Sequence, residues 1–140
     1  MTSDKTPLRR ARLIERVRSA EQRKAASEAH RAEAIRLKLE QLSERTHSLA
    51  QLYALRDTAA DAADLRGAAI LGAHLRELGH TASRQASAAR READDRLADL
   101  AAAERRLQRA EESRRELHRS ILDQLGRVHF TPARKTGPAR

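Results

Sequence analysis

The side chains best able to bind a metal or move a proton are six histidines: His30, His47, His74, His80, His118 and His129. A helical metal or acid–base pair needs two such groups three or four residues apart, where successive turns bring them onto one face. No two histidines have that spacing, so they read as surface residues and no metal site is expected. Cysteine is absent, which fits a reducing compartment. The five glycines, Gly67, Gly72, Gly79, Gly126 and Gly137, form no phosphate-cradling loop, which needs them clustered ahead of a helix. No nucleophile elbow occurs, so neither an enzyme nor a bound cofactor is expected. What remains is arginine: 29 Lys and Arg stand against 20 Asp and Glu, for a net charge of +9. Such a surface could bind phosphates. Yet Arg105-Arg106, Glu111-Glu112, Arg114-Arg115 and Glu116 alternate in sign, as self-paired helix surfaces do. Phe130 is the only aromatic in the basic segments available to stack on a base. Nucleic-acid binding is therefore an alternative, not the leading reading.

These charges must be carried by some scaffold, and its signature is periodic. From Leu65 to Val128 the positions Leu65, Ala68, Leu71, Leu75, Leu78, Ala82, Ala86, Ala89, Ala93, Leu97, Leu100, Ala103, Leu107, Ala110, Arg114, Leu117, Ile121, Leu125 and Val128 recur every 3.5 residues, with Arg114 the one non-apolar member. A seam of that period specifies a long helix that must bury it against another. The upstream partner has its own seam at Ile14, Val17, Ala20, Ala25, Ala29, Ala32, Ile35, Leu39, Leu42, Thr46, Leu49 and Tyr53. One Phe, one Tyr and no Trp are too few large side chains for a globular core. Abundant Ala, Leu, Arg and Glu lose little rotamer freedom in a helix.

The fold expected is therefore all-α: a long two-helix antiparallel coiled-coil hairpin over residues 6–130, with its turn near 57–64. Residues 1–5 are expected to be flexible and residues 131–140 to form a disordered basic tail. Thr6-Pro7 starts the first helix as N-cap and first-turn proline. Asp57-Thr58 and Asp61 cap the second, which ends near Gly126 and no later than about Phe130, ahead of Pro132, Gly137 and Pro138. Folding about residues 60–61 sets Leu42 opposite Leu78, Leu39 opposite Ala82 and Ala25 opposite Leu97, so that large residues mostly face small ones, in a rod roughly 75 Å long. Residues past Arg115 overhang. Gly72 and Gly79 read either as drift or as a smooth strip for a close backbone.

Charge is uneven along the chain. Residues 1–40 carry 11 basic and 6 acidic side chains, residues 41–100 carry 8 and 9, and residues 101–140 carry 10 and 5. The end holding both termini is expected to be basic and the tip neutral. Leu52, Tyr53, Leu55, Ile70, Leu71 and Leu75 crowd that tip with more apolar surface than one seam buries. The N-terminus lacks the apolar run of a signal peptide, and no apolar run approaches a bilayer span. A cytoplasmic protein is expected.

A hairpin of this length, rich in Arg, Glu and Ala, with Ala63-Asp64-Leu65-Arg66 after the turn and Leu75-Arg76-Glu77-Leu78 closing at Arg84-Gln85, resembles the FliJ family. That family comprises the coiled-coil stalk proteins of the bacterial flagellar type III protein export apparatus. The likeness spans roughly residues 8–120. It implies a chain without cofactor that inserts its basic end into a hexameric export ATPase. The residues that would meet the ring are Arg9, Arg10, Arg12, Arg16, Arg105 and Arg109. It also implies a tip contact with the cytoplasmic domain of the export gate through Leu49, Tyr53, Leu71, His74, Leu75 and Leu78, binding of export chaperones, and a peripheral place at the inner membrane through those partners. The alternatives are a basic nucleic-acid-associated coiled coil and a self-associating scaffold pairing through the overhang.

Overall fold

The computed structural model describes residues 5–55 and 62–130. Each segment is one uninterrupted helix, α1 (Lys5–Leu55) and α2 (Ala62–Phe130). The two pack against each other as a hairpin, with no strand among the described residues. α1 starts at Lys5, one residue before the expected cap, so Thr6 is helical and Pro7 stays in the first turn, where its missing N–H leaves nothing unpaired. α2 starts at Ala62. Ala62–Asp64, expected in the turn, are helical, and the Asp64 carboxylate sits in the first turn, where it complements the positive helix end. The helix also runs through Gly126 to Phe130. The expected caps Asp57, Thr58 and Asp61 and the proposed tail 131–140 lie outside the described residues.

The chain divides into two compact units. Unit 1 joins Met1–Lys24 to Ala101–Arg140, and unit 2 is Ala25–Leu100. In unit 2 the positions of α1 turned toward α2 are Ala25, Ala29, Ala32, Arg36, Leu39, Ser43, Thr46, Ala50 and Tyr53, all buried or half-buried. Those of α2 are Ala68, Gly72, Leu75, Gly79, Ala82, Ala86, Ala89, Ala93, Arg96 and Leu100. In unit 1 they are Leu8, Ala11, Glu15, Arg18 and Gln22 on α1, and Ala103, Leu107, Ala110, Arg114, Leu117 and Ile121 on α2. Steps of three and four alternate throughout, so the 3.5-residue period holds.

The phase of that period differs from the expectation. Ile14, Val17, Ala20, Ile35, Leu42 and Leu49 of α1 are exposed, as are Leu65, Leu71, Leu78, Leu97, Leu125 and Val128 of α2. In most cases the neighbouring residue takes the seam instead: Arg36 for Ile35, Ser43 for Leu42, Ala50 for Leu49, Gly72 for Leu71 and Gly79 for Leu78. Among the described residues the buried apolar core consists of alanines alone, with Ala93 at 1% and Ala29 at 3% exposure. Two helices with no third to cover them cannot enclose a leucine. Small residues let the backbones approach, and bulky side chains then lie along the flanks.

Register shifts as well. Folding about 60–61 sets Thr46 opposite Leu75, but Thr46 lies against Gly79, its methyl 3.9 Å from where a Cβ would stand. Glu28 reaches Arg96 instead of Ala93. The pairing axis sits about one helical turn further along α2. The Thr46 hydroxyl is silent in this interface because it donates to the Leu42 carbonyl at 2.7 Å, the usual local bond of a helical threonine.

Candidate partner-binding surfaces

Unit 1 presents a basic groove. Between α1 and α2 lies an open channel of about 760 Å³ floored by Pro7, Ala11, Ile14, Ala110 and Leu117. Its walls carry Arg10, Arg18, Arg106 and Arg109 with the hydroxyls of Thr6 and Ser113. Among the described residues no carboxylate lines it. Arg18 donates to Glu21 at 2.9 Å, whereas Arg10, Arg106 and Arg109 are in no ion pair among the described residues. The groove exists because α1 contributes Ala11 and α2 Ala110 at adjacent turns, so the floor is shallow and the long arginines stand around it.

Six arginines were expected at this end. Arg10 and Arg109 line the groove together. Arg9, Arg12, Arg16 and Arg105 are exposed but lie outside it. Arg18 and Arg106, which the sequence reading did not single out, complete it. The signal that could have found them is register: both belong to the column of residues at or beside the seam once its phase is known. Across unit 1 the half-buried Glu15 and Arg114 join in an ion pair between the helices.

Unit 2 has two unlike faces. On one, Glu44 and His47 of α1 and Arg76, His80 and Ser83 of α2 border a groove over Ser43, Ala50, Leu75 and Gly79. The rim of that groove is polar. The residues preceding each seam position, Ile35, Leu42 and Leu49 on α1 and Leu71 and Leu78 on α2, point to the opposite side and are exposed. Of the tip residues expected, Leu49, Leu71 and Leu78 stand on this apolar face and His74 borders it. Leu75 and Tyr53 do not: both are half-buried in the seam. The face extends to Ile35 and Leu42, which the sequence reading assigned to the seam.

Arginines inside the unit 2 seam are neutralised. Arg36 donates to Glu40 at 2.8 Å and to Glu33 at 3.1 Å. The hydrogen bonds from Arg36 lower the Glu33 pKa, and those to Glu33 and Glu40 raise that of Arg36. Arg96 donates to Glu92 at 2.9 Å and across to Glu28 at 3.1 Å, and its pKa is raised first by the bond to Glu92. Among the described residues no group of three His, Asp or Glu is placed to hold a metal, and no helix is long and apolar enough to cross a membrane.

Compared with known proteins, the chain matches no protein-family profile, no curated protein and no solved structure.

Proposed function

We propose that this chain is the coiled-coil stalk of a bacterial flagellar type III export apparatus, a cytoplasmic protein held at the inner membrane through its partners. In this reading unit 1 enters the hexameric export ATPase, and the exposed leucines Leu49, Leu71 and Leu78 meet the export gate. Export chaperones bind along the same helices. The observation that supports it most is the carboxylate-free groove in the unit that holds both chain ends, with Arg10, Arg18, Arg106 and Arg109 over an apolar floor. Such a surface suits an acidic, partly apolar lining and speeds encounter with it.

The test is to add the protein to the export ATPase encoded in the same genome. Hydrolysis and ring assembly rise in this reading, and Arg10→Glu with Arg109→Glu weakens the effect about tenfold. Unchanged hydrolysis and ring assembly would end it. For the gate contact, Leu71→Ser with Leu78→Ser is a cleaner variant than any change at Leu75, because Leu75 also packs between the helices. Retention on duplex DNA at about 50 mM salt, lost steeply at higher salt, would instead favour a nucleic-acid partner.

A further inference from the structure

We infer that the apolar face of unit 2 seats a third helix, supplied by another protein, whose edge is acidic. The inference rests on the packing of unit 2 alone and stands apart from the export reading.

Its basis is the displaced phase of the seam. Ile35, Leu42 and Leu49 lie seven residues apart on α1, and Leu71 and Leu78 seven apart on α2. Counted with the two seam positions, unit 2 thus has three inward or flanking columns per heptad. A two-stranded coiled coil uses two; a third apolar column is the pattern of a helix facing a larger bundle. The polar groove of Glu44, His47, Arg76, His80 and Ser83 occupies the other side. The five aliphatic residues therefore lie on one side of the seam, and they are 41% to 58% exposed, with Leu42 at 49% and Leu78 at 58%.

Charge selects the occupant. The column outside the α1 stripe holds Arg31, Lys38 and Arg45, again seven apart and exposed. None is in an ion pair among the described residues, in contrast to Arg36 and Arg96 in the seam. The matching column on α2 is His74, Thr81, Ala88 and Asp95, with a carboxylate at its far end alone. A second copy seated by the same face would bring either a like cationic rim or one with the single carboxylate Asp95 against Arg31, Lys38 and Arg45, and so leaves most of that charge uncompensated. An anionic bilayer would satisfy the charge, but the stripe is one residue wide on each helix, too narrow for a face lying in lipid. A helix with glutamates along its flank satisfies both shape and charge.

The probe is a synthetic peptide of about four heptads, long enough to hold helix on binding. It carries Leu at seam positions and Glu along the flanks; a second peptide carries Lys in place of Glu. Titration of the full chain is followed by fluorescence anisotropy. The Glu peptide saturates at one per chain and the Lys peptide does not bind. Ile35→Ser with Leu42→Ser weakens the Glu peptide about tenfold; these positions lie outside the proposed gate contact, so the two readings fail separately. Lys38→Glu with Arg45→Glu exchanges the preference toward the Lys peptide. Circular dichroism melts keep these variants comparable, since every altered residue is exposed. Three results overturn the inference. The two peptides bind equally or neither binds. The Ser variant leaves Glu-peptide binding intact. Or the face is filled otherwise, by a dimer in sedimentation or by phosphatidylglycerol vesicles, with the Ser variant abolishing that association.

Discussion

Unit 2 joins its helices mainly through small residues, broken at Arg36, Leu39, Tyr53, Leu75, Arg96 and Leu100, whereas unit 1 sets Glu15, Arg18 and Gln22 against Ala103, Leu107 and Arg114. Of the ten buried residues among those described, seven belong to unit 2: Ala29, Ala32, Thr46, Ala82, Ala86, Ala89 and Ala93. Unit 1 contributes Ala11, Ala103 and Ala110. Small seam residues in one unit leave leucines on its outside, while larger polar ones in the other leave an arginine-walled groove. The same heptad geometry therefore yields an apolar surface in one place and a cationic one in another, depending on what stands at the seam.

The strongest way to break this comparison is to enlarge an alanine in each unit. Ala93→Leu must push the helices of unit 2 apart and should cost about 2–3 kcal/mol in thermal or urea unfolding. Ala110→Leu opens onto the unit 1 groove and should cost less than half of that. Equal losses would show that the units do not differ in tightness. Next in size is the glycine pair. A Cβ at Gly72 meets nothing within 4 Å, and one at Gly79 meets only the Thr46 methyl at 3.9 Å. Gly72→Ala and Gly79→Ala should therefore each stabilise the chain by about 1 kcal/mol through helix propensity, visible as a higher Tm. A loss at either site would mean that the seam there needs glycine.

Smaller effects sharpen the comparison. A double-mutant cycle with Glu15→Gln and Arg114→Met should give a coupling of about 1 kcal/mol, because both side chains are half-buried. The same cycle on Glu28 and Arg96, more exposed, should give a smaller coupling. The smallest effect is a pH dependence. Arg36 lowers the Glu33 pKa in the fold. The contribution of Glu33 is then present above the ordinary carboxylate value and fades as pH falls through the lower folded one. Melts of the chain and of Glu33→Gln should converge in acid and separate at neutral pH.

Two helices, their ends within a few residues and the 3.5-residue period were all legible in the sequence, because propensity and spacing are local properties. Phase and register were not. At Leu71-Gly72, Leu78-Gly79 and Leu49-Ala50 two adjacent columns are both apolar or small, and hydrophobicity points to the larger residue. Which column faces the partner depends on how closely two backbones can approach, and that is decided between helices. For the same reason the basic end was readable from charge, but the meeting of Arg10 with Arg109, Arg18 and Arg106 around one channel was not. Leu49, Leu71 and Leu78, read as seam positions, stand exposed beside it.

An alanine has no side-chain torsion to freeze. A join built from alanines thus surrenders almost no rotational freedom when it closes, and each turn of it also gains little. Strength in unit 2 accumulates by the number of turns in register. Removing one heptad from both helices should lower stability in simple proportion to the length removed.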